Sequence, residues 1–108
     1  MHELRRHPRV EFDRKVWCEH QALTLYLPVS NVSVGGMFLQ TSARFRVGDT
    51  VRVSLELEET TGERVVADVE VVWSGKTGRI PGFGCRVVRF SEGESAYMRL
   101  VDRLVARA

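Results

Sequence analysis

The sequence contains few of the residues on which several common protein classes depend. It has two cysteines and three prolines in 108 residues, too few for a disulfide-stabilised scaffold. Cys18 and Cys85 are far apart among strand-like residues, so we expect two buried or half-buried thiols. His2, His7 and His20 lack the spacing of metal ligands. We therefore expect neither a disulfide framework nor a metal site.

Long apolar runs and catalytic constellations are also missing. No segment approaches the roughly 20 apolar residues that cross a membrane, and the charged N-terminus does not resemble a signal peptide. The composition, 44% hydrophobic and 28% charged over 108 residues, is typical of one folded domain. No Ser–His–acid or paired-carboxylate arrangement is present, so we do not expect an enzyme. We expect a single cytoplasmic domain over residues 1–108, without membrane attachment.

Alternating hydrophobicity predicts six β-strands. The predicted strands are Lys15–Glu19, Ala22–Leu27, Met37–Thr41, Thr50–Glu58, Arg64–Trp73 and Phe83–Phe90. Clusters of Asn, Ser and Gly predict a loop over residues 30–36 and a glycine-rich loop over residues 74–82. Because a sheet that closes on itself leaves no exposed edges, we expect an all-β fold with a six-stranded antiparallel barrel.

The hydrophobic period changes at Ser91, which predicts a C-terminal helix over residues 91–106. Ser91 and Glu94 have the S-x-x-E spacing of a capping box. A helical apolar stripe follows, formed by Tyr97, Leu100, Val101, Leu104 and Val105. We expect the helix to cover one mouth or one flank of the barrel.

The N-terminal segment is strongly basic. Arg5, Arg6 and Arg9 place three guanidinium groups within five residues, and each presents a planar set of donors that matches phosphate oxygens in pairs. No hydrophobic period is visible over residues 1–9, so we expect a flexible arm. This pattern predicts an anion-binding site, and we expect its ligand to be a phosphorylated molecule.

Two short motifs together resemble a known signature. Arg5-x-x-x-Arg9, followed by Asn31-x-Ser33-x-x-Gly36, is similar to the RxxxR and (D/N)xSxxG motifs of PilZ domains, bacterial receptors for the second messenger cyclic di-GMP. The resemblance covers nearly the whole chain, since that family has a six-stranded barrel of about this length and a C-terminal helix. It implies cyclic di-GMP as the ligand and no cofactor.

The motif residues suit the chemistry of this ligand, which has two phosphodiesters and two guanines. Arg5 and Arg9 can clamp phosphate or bind a guanine O6/N7 edge, with Arg6 as a helper. Asn31 offers an amide to a guanine edge, and Ser33 offers a hydroxyl to phosphate or to its own loop. Close approach of the backbone is expected at Gly36, which has no Cβ.

Trp73 and Gly75 are further candidates. Trp73 has the position at which some family members place an aromatic ring against guanine, and stacking there contributes on the order of 1–3 kcal/mol. Gly75 would give the ligand room. The alternative is that Trp73 shares the inward face of Val69 and Val71 and belongs to the core.

Other functions remain open at this point. A PilZ-like adaptor that acts through protein contacts without binding nucleotide is one alternative. A small-barrel nucleic-acid binder that stacks bases on Phe12, Trp17 and Tyr26 is another, but the acidic outward faces of two strands argue against it. We expect cyclic di-GMP and a downstream protein as partners, no nucleic acid, and a monomer or a weak homodimer. Leu4 stands where family members that bind a stacked ligand pair tend to have another arginine, so we expect one ligand per domain.

Overall fold

A computed structural model describes residues 10–58 and 62–107 of the chain. It contains the strands β1 (Val10–His20), β2 (Leu23–Ser33), β3 (Gly36–Gln40), β4 (Thr50–Glu58), β5 (Glu63–Thr77) and β6 (Ile80–Glu92), and the helix α1 (Glu94–Arg107). The strands form a closed antiparallel barrel in the order β1-β2-β3-β6-β5-β4. The predicted six-stranded barrel with a C-terminal helix is confirmed.

The barrel closes where β1 meets β4, with Trp17 opposite Ser54 and Glu19 opposite Arg52. Strict alternation along β4 and β5 fills its interior, since one side chain of every two points inward. The inward residues of these two strands are Val51, Val53, Leu55, Val65, Ala67, Val69 and Val71. Both cysteines are buried in the same core, as predicted.

Most strands are longer than their hydrophobic pattern indicates. β1 starts at Val10 and not at Lys15, because Val10 and Phe12 also face the core. β2 continues through Pro28 to Ser33, so the loop predicted over residues 30–36 is wrong. Only Val34 and Gly35 form a turn there. The Asn-Ser-Gly motif is therefore part of a β-hairpin.

The glycine-rich loop predicted over residues 74–82 is also wrong. β5 runs on to Thr77 and β6 begins at Ile80, with ladder pairs as far as Thr77 opposite Ile80. Gly78, at φ 64°, adopts the left-handed conformation that this tight turn requires. Local composition predicts a loop here, whereas pairing with the neighbouring strand determines an extended hairpin.

The helix begins three residues later than predicted. α1 starts at Glu94, while Ser91 still belongs to β6, so the predicted capping box is wrong. Gly93 precedes the helix at φ 82°, and its carbonyl accepts a hydrogen bond from the Tyr97 amide. A Cβ at Gly93 would lie 2.3 Å from the Arg64 carbonyl oxygen, so close contact with β5 favours glycine there.

The helix packs against the barrel through its predicted stripe. Tyr97, Leu100 and Val101 are buried in the common core, and Leu104 packs at its margin. Val105, the last residue of the predicted stripe, is 36% exposed. Among the described residues, no helix has the length and apolar character needed to cross a membrane.

Candidate functional site

Four strands of the barrel bring the sequence motif and the tryptophan into one line. Asn31 on β2 is opposite Phe38 on β3, Phe38 is opposite Gly84 on β6, and Gly84 is opposite Trp73 on β5. We call these four residues the motif row. Three strand spacings of ~4.8 Å separate its ends by roughly 14 Å along the barrel surface.

Trp73 points outward because β5 contains a bulge. Val71 is opposite Cys85 and Trp73 is opposite Gly84, so Val72 is an extra residue in the ladder. The bulge breaks the alternation after Val71, which is fully buried, and leaves Trp73 43% exposed. The alternative that Trp73 shares the inward face of Val69 and Val71 is therefore wrong, as is the prediction that Trp73 ends the strand.

Phe38 supports the indole. Sequence reasoning missed Phe38 and Gly84 as residues of the site. Its ring centroid lies 5.7 Å from that of Trp73 at an interplanar angle of 44°. Phe38 is only 3% exposed, yet it is not part of the common core cluster. Its neighbours Met37 and Leu39 face the core and its ring contacts the exposed Trp73, so Phe38 lies on the outer side of the sheet. Its ring atom Cζ would be 2.8 Å from a Cβ at Gly82. The sequence did contain a signal for it: Phe38 is an aromatic residue between Met37 and Leu39, so alternation places it on the face opposite to the core.

Glycines make space for this aromatic pair. A Cβ at Gly75 would lie 3.2 Å from the Trp73 ring, and one at Gly84 would lie 3.8 Å from its Cβ. The two glycines therefore let the indole lie flat along the outside of β5 and β6. Gly75, predicted to give the ligand room, gives room in this structure to the side chain of Trp73.

The turn after Asn31 is determined by local bonds and by packing. Ser33 is buried, with 5% exposure, and its hydroxyl accepts a hydrogen bond from the Gly35 amide at 3.3 Å. A Cβ on Gly36 would lie 1.9 Å from the carbonyl oxygen of Cys85, so only glycine allows β3 to approach β6 this closely. Asn31 is half-buried and is the motif residue on the row itself.

The three arginines of the first motif, Arg5, Arg6 and Arg9, lie outside the described residues. The described chain begins beside the second motif, because Val10 is opposite Val32 and Glu11 is opposite Asn31. Arg9 is joined to Val10 by a peptide bond. The described part of β1 therefore begins one strand spacing from the second motif.

The charges around the motif row are partly paired. Arg86 is opposite Gly36 on one side and opposite Glu70 on the other, and its guanidinium contacts the Glu70 carboxylate at 2.5 Å. This cation lies two residues along β6 from Gly84, on the exposed face. In residues 10–58 and 62–107, no group of three or more His, Cys, Asp or Glu side chains is arranged to hold a metal ion.

The motif row is a surface and not a cavity. A groove of about 1200 Å³ is lined mainly by β1, β2 and β4 and includes no residue of the row. Ser30, at the bulge beside Asn31, does line it, together with Gln40, whose side-chain amide donates a 2.6 Å hydrogen bond to the Ser30 hydroxyl. A ligand on the row would lie against the outside of the barrel.

Comparisons with known proteins agree with the fold. A family model described as PilZ domain matches residues 3–107. The structure is similar to that of the Bacillus subtilis inhibitor of motility MotI/DgrA, with a TM-score of 0.81 and 15% identity over 97% of this chain and 53% of that one. It is also similar to the PilZ domain with c-di-GMP of YcgR from Escherichia coli, with a TM-score of 0.70 and 18% identity over 97% of this chain and 94% of that one.

The chain thus spans about half of the Bacillus subtilis protein. At these low identities the two structural likenesses show the fold alone. A comparison with curated protein sequences gives no significant match.

Proposed function

This chain belongs to the PilZ domain family, and we propose that it is a cytoplasmic bacterial receptor for cyclic di-GMP that signals through a partner protein and has no enzymatic activity of its own. The observation that carries the proposal is the motif row. It aligns an amide and an exposed indole on one outer face of the barrel, the two kinds of group that a guanine nucleotide requires.

Each end of the motif row has a role in the proposed complex. Asn31 offers its amide oxygen and nitrogen to a guanine edge. Trp73, 43% exposed and supported by Phe38, offers a flat apolar surface on which a purine stacks. Between them, Gly84 adds no side chain to the surface. The ligand would therefore lie along the strands' outer face, with one base at the indole.

The arginines supply the charge in this proposal. Arg5 and Arg9 bind the phosphodiesters or a guanine edge, and Arg6 assists, since guanidinium groups pair bidentately with both. The pairing of Val10 with Val32 supports this arrangement, because it brings the start of β1 beside the Asn31 strand. The solved YcgR domain, described with c-di-GMP, has the same fold over 94% of its length.

Output in this proposal depends on the first nine residues. Ligand binding orders residues 1–9 against the barrel and creates a surface that a partner protein recognises, as in other disorder-to-order switches. The second candidate is an adaptor of the same fold that binds its partner without nucleotide. The presence of both arginines of the first motif and the exposed Trp73 favours the receptor.

Isothermal calorimetry with cyclic di-GMP tests the proposal. We expect the wild-type chain to bind one ligand per domain at micromolar concentration or below, and the Arg5→Ala, Arg9→Ala double variant to lose this binding. The matched control is Arg103→Ala, Arg107→Ala, which removes the same charge from the exposed side of α1. It should bind like the wild type, because the effect of the first pair is local and not one of net charge.

Absence of heat with the wild-type protein, under conditions in which it is folded by circular dichroism, would contradict the receptor and favour the adaptor. Equal losses in the two double variants would show that the binding is general electrostatic attraction.

A further inference from the structure

A second exposed aromatic pair lies on the outside of the barrel, away from Trp73. Trp17 on β1 is opposite Tyr26 on β2, and their ring centroids are 4.6 Å apart. Trp17 is 48% exposed and Tyr26 is 52% exposed. Phe12, which we grouped with them as a possible base-stacking residue, is buried in the core. Two large aromatic side chains held together in solvent are typical of an interaction surface.

The charges around this pair follow a regular order. Along β1 the outward residues are Lys15, Trp17 and Glu19, so a cation and an anion flank the indole. On β4, Arg52 is opposite Glu19 and Ser54 is opposite Trp17. Continued by two residues, this register would bring Glu56 to the level of Lys15, and both residues line the same groove. We call these residues, with Tyr26, the β1 patch.

The β1 patch is complementary to itself. Consider a second copy whose β1 patch faces that of the first. The two-fold axis that relates the copies lies between the two patches, perpendicular to the strands and at the level of Trp17. Lys15 of each copy then faces Glu19 of the other, and Glu56 faces Arg52, which also pairs with Asp68 of its own chain at 3.1 Å. Trp17 and Tyr26, which line the groove between β1, β2 and β4, face their own counterparts at the centre. An isologous interface requires this relationship, in which a patch matches its own rotated image.

We propose that the β1 patch is the interface of a weak symmetric homodimer of this chain. The proposal does not depend on cyclic di-GMP. Of the motif row only Asn31 shares a strand with the patch, and it lies five residues along β2 from Tyr26. Phe38, Gly84 and Trp73 lie on β3, β6 and β5. The dimer would leave the outer faces of those three strands open.

The size of the patch determines how strong the association is. It covers three strands and about five residues of β1, roughly 10 Å by 13 Å between the outermost backbones. Stable interfaces bury about 800 Å² on each partner, which is more than this patch supplies. We therefore expect a dissociation constant on the order of 0.1 mM, with the charges selecting the orientation.

Charge reversal tests the proposed pairing. In the Lys15→Glu dimer a glutamate at position 15 of each copy faces Glu19 of the other, and in the Glu19→Lys dimer Lys15 of each copy faces a lysine at position 19. Each variant alone should therefore self-associate about tenfold more weakly than wild type. Mixing the two variants restores both Lys–Glu contacts in a heterodimer. Sedimentation velocity from roughly 20 μM to 1 mM, a range around the dissociation constant expected for so small an interface, would measure each sample and the equimolar mixture.

The controls are Arg103→Glu and Asp102→Lys on the exposed side of α1, which make equal changes in net charge and should self-associate like the wild type. The Lys15→Glu, Glu19→Lys double variant should do so as well. Circular dichroism verifies the fold of each variant.

A wild-type chain that stays monomeric at 1 mM by the same measurement would overturn the proposal, as would two single variants that dimerise normally or a mixture that does not associate. A single-stranded oligonucleotide that quenches Trp17 in a monomeric chain would instead assign the patch to nucleic acid.

Discussion

The Tyr97 hydroxyl donates a hydrogen bond to the carbonyl oxygen of Ser33 at 2.6 Å. The carbonyl oxygen of Gly36 lies 3.2 Å from the same hydroxyl, so a single buried side chain of α1 holds both sides of the hairpin turn of the second motif. Tyr97 is 1% exposed. The helix is thereby part of the framework that shapes the candidate site.

Replacing Tyr97 with phenylalanine should destabilise the protein by about 1–3 kcal/mol, because the carbonyl of Ser33 loses its donor while the packing volume is kept. Urea unfolding followed by circular dichroism measures this change. Tyr26→Phe is the matched control, since Tyr26 is 52% exposed, and should change stability by less than about 0.5 kcal/mol. Equal effects of the two substitutions would show that the Tyr97 hydrogen bond is not stabilising.

The Gly36→Ala variant should be strongly destabilised, by about 3 kcal/mol or more, or fail to fold. The added Cβ would lie 1.9 Å from the Cys85 carbonyl oxygen, and the backbones of β3 and β6 would have to separate. Gly84→Ala is the control in the adjacent strand, because its Cβ makes only ordinary contact, 3.8 Å from Trp73. A Gly36→Ala variant as stable as Gly84→Ala would contradict the close approach of the strands.

The Trp73→Ala variant should bind cyclic di-GMP roughly 5- to 150-fold more weakly, as expected for the loss of one base–aromatic stack. Calorimetry at about 5 μM, at which most of the proposed dimer is dissociated, measures this loss. The control is Trp17→Ala, which removes an indole of similar exposure from a face remote from Trp73. If both variants bind like the wild type, stacking on Trp73 is excluded.

The stabilisation that the Asp68 carboxylate provides should be lost in acid. Its carboxylate accepts hydrogen bonds from Arg52 at 3.1 Å and Arg89 at 2.8 Å, and these two bonds hold its pKa below the usual 3.8. Because the folded-state pKa is lowered, the stabilisation is present at neutral pH and is lost as the pH falls below about 4, through the folded pKa.

We expect Asp68→Asn to reduce stability at pH 7 by less than about 1 kcal/mol, since the group is near the surface, and to have less and less effect as the pH falls below about 4. Urea unfolding at a series of pH values measures the difference. A difference that stays constant with pH would mean that the charge of Asp68 contributes nothing.

The two thiols should be unreactive in the folded protein. Burial, assisted by the nearby charge of Glu19, raises the pKa of Cys18 to about 11, and Cys85 is 1% exposed. Ellman's reagent at pH 8 should detect neither thiol until urea is added, and then both. Because the pKa of Cys18 is raised on folding, stability should fall between about pH 9 and pH 11, where the unfolded chain ionises first.

Variants with a single cysteine show which of the two thiols reacts in that experiment. Thiol accessibility of Cys85→Ala and Cys18→Ala under native conditions identifies each cysteine in turn. Rapid reaction of Cys18 in the folded Cys85→Ala variant would contradict its burial in the barrel.

Hydrophobic periodicity predicted the all-β class, the number of strands, the bounds of β4 and the apolar stripe of α1, because each depends on residues close together in the chain. The strand ends were predicted less well. Residues 74–82 have the composition of a loop, yet they pair as a hairpin, since strand extension depends on a partner that composition does not reveal.

The sequence alone determined the identities of the candidate ligand-binding groups, Arg5, Arg9, Asn31 and Trp73, and an alternating core that closes into a barrel. Only the tertiary structure decided which way Trp73 faces, because the bulge at Val72 is a property of the β5–β6 pairing. It also decided why Gly36 is glycine and how Tyr97, 64 positions from Ser33, holds the motif turn. Contacts between distant segments have no local signal, so they are visible only in the folded barrel.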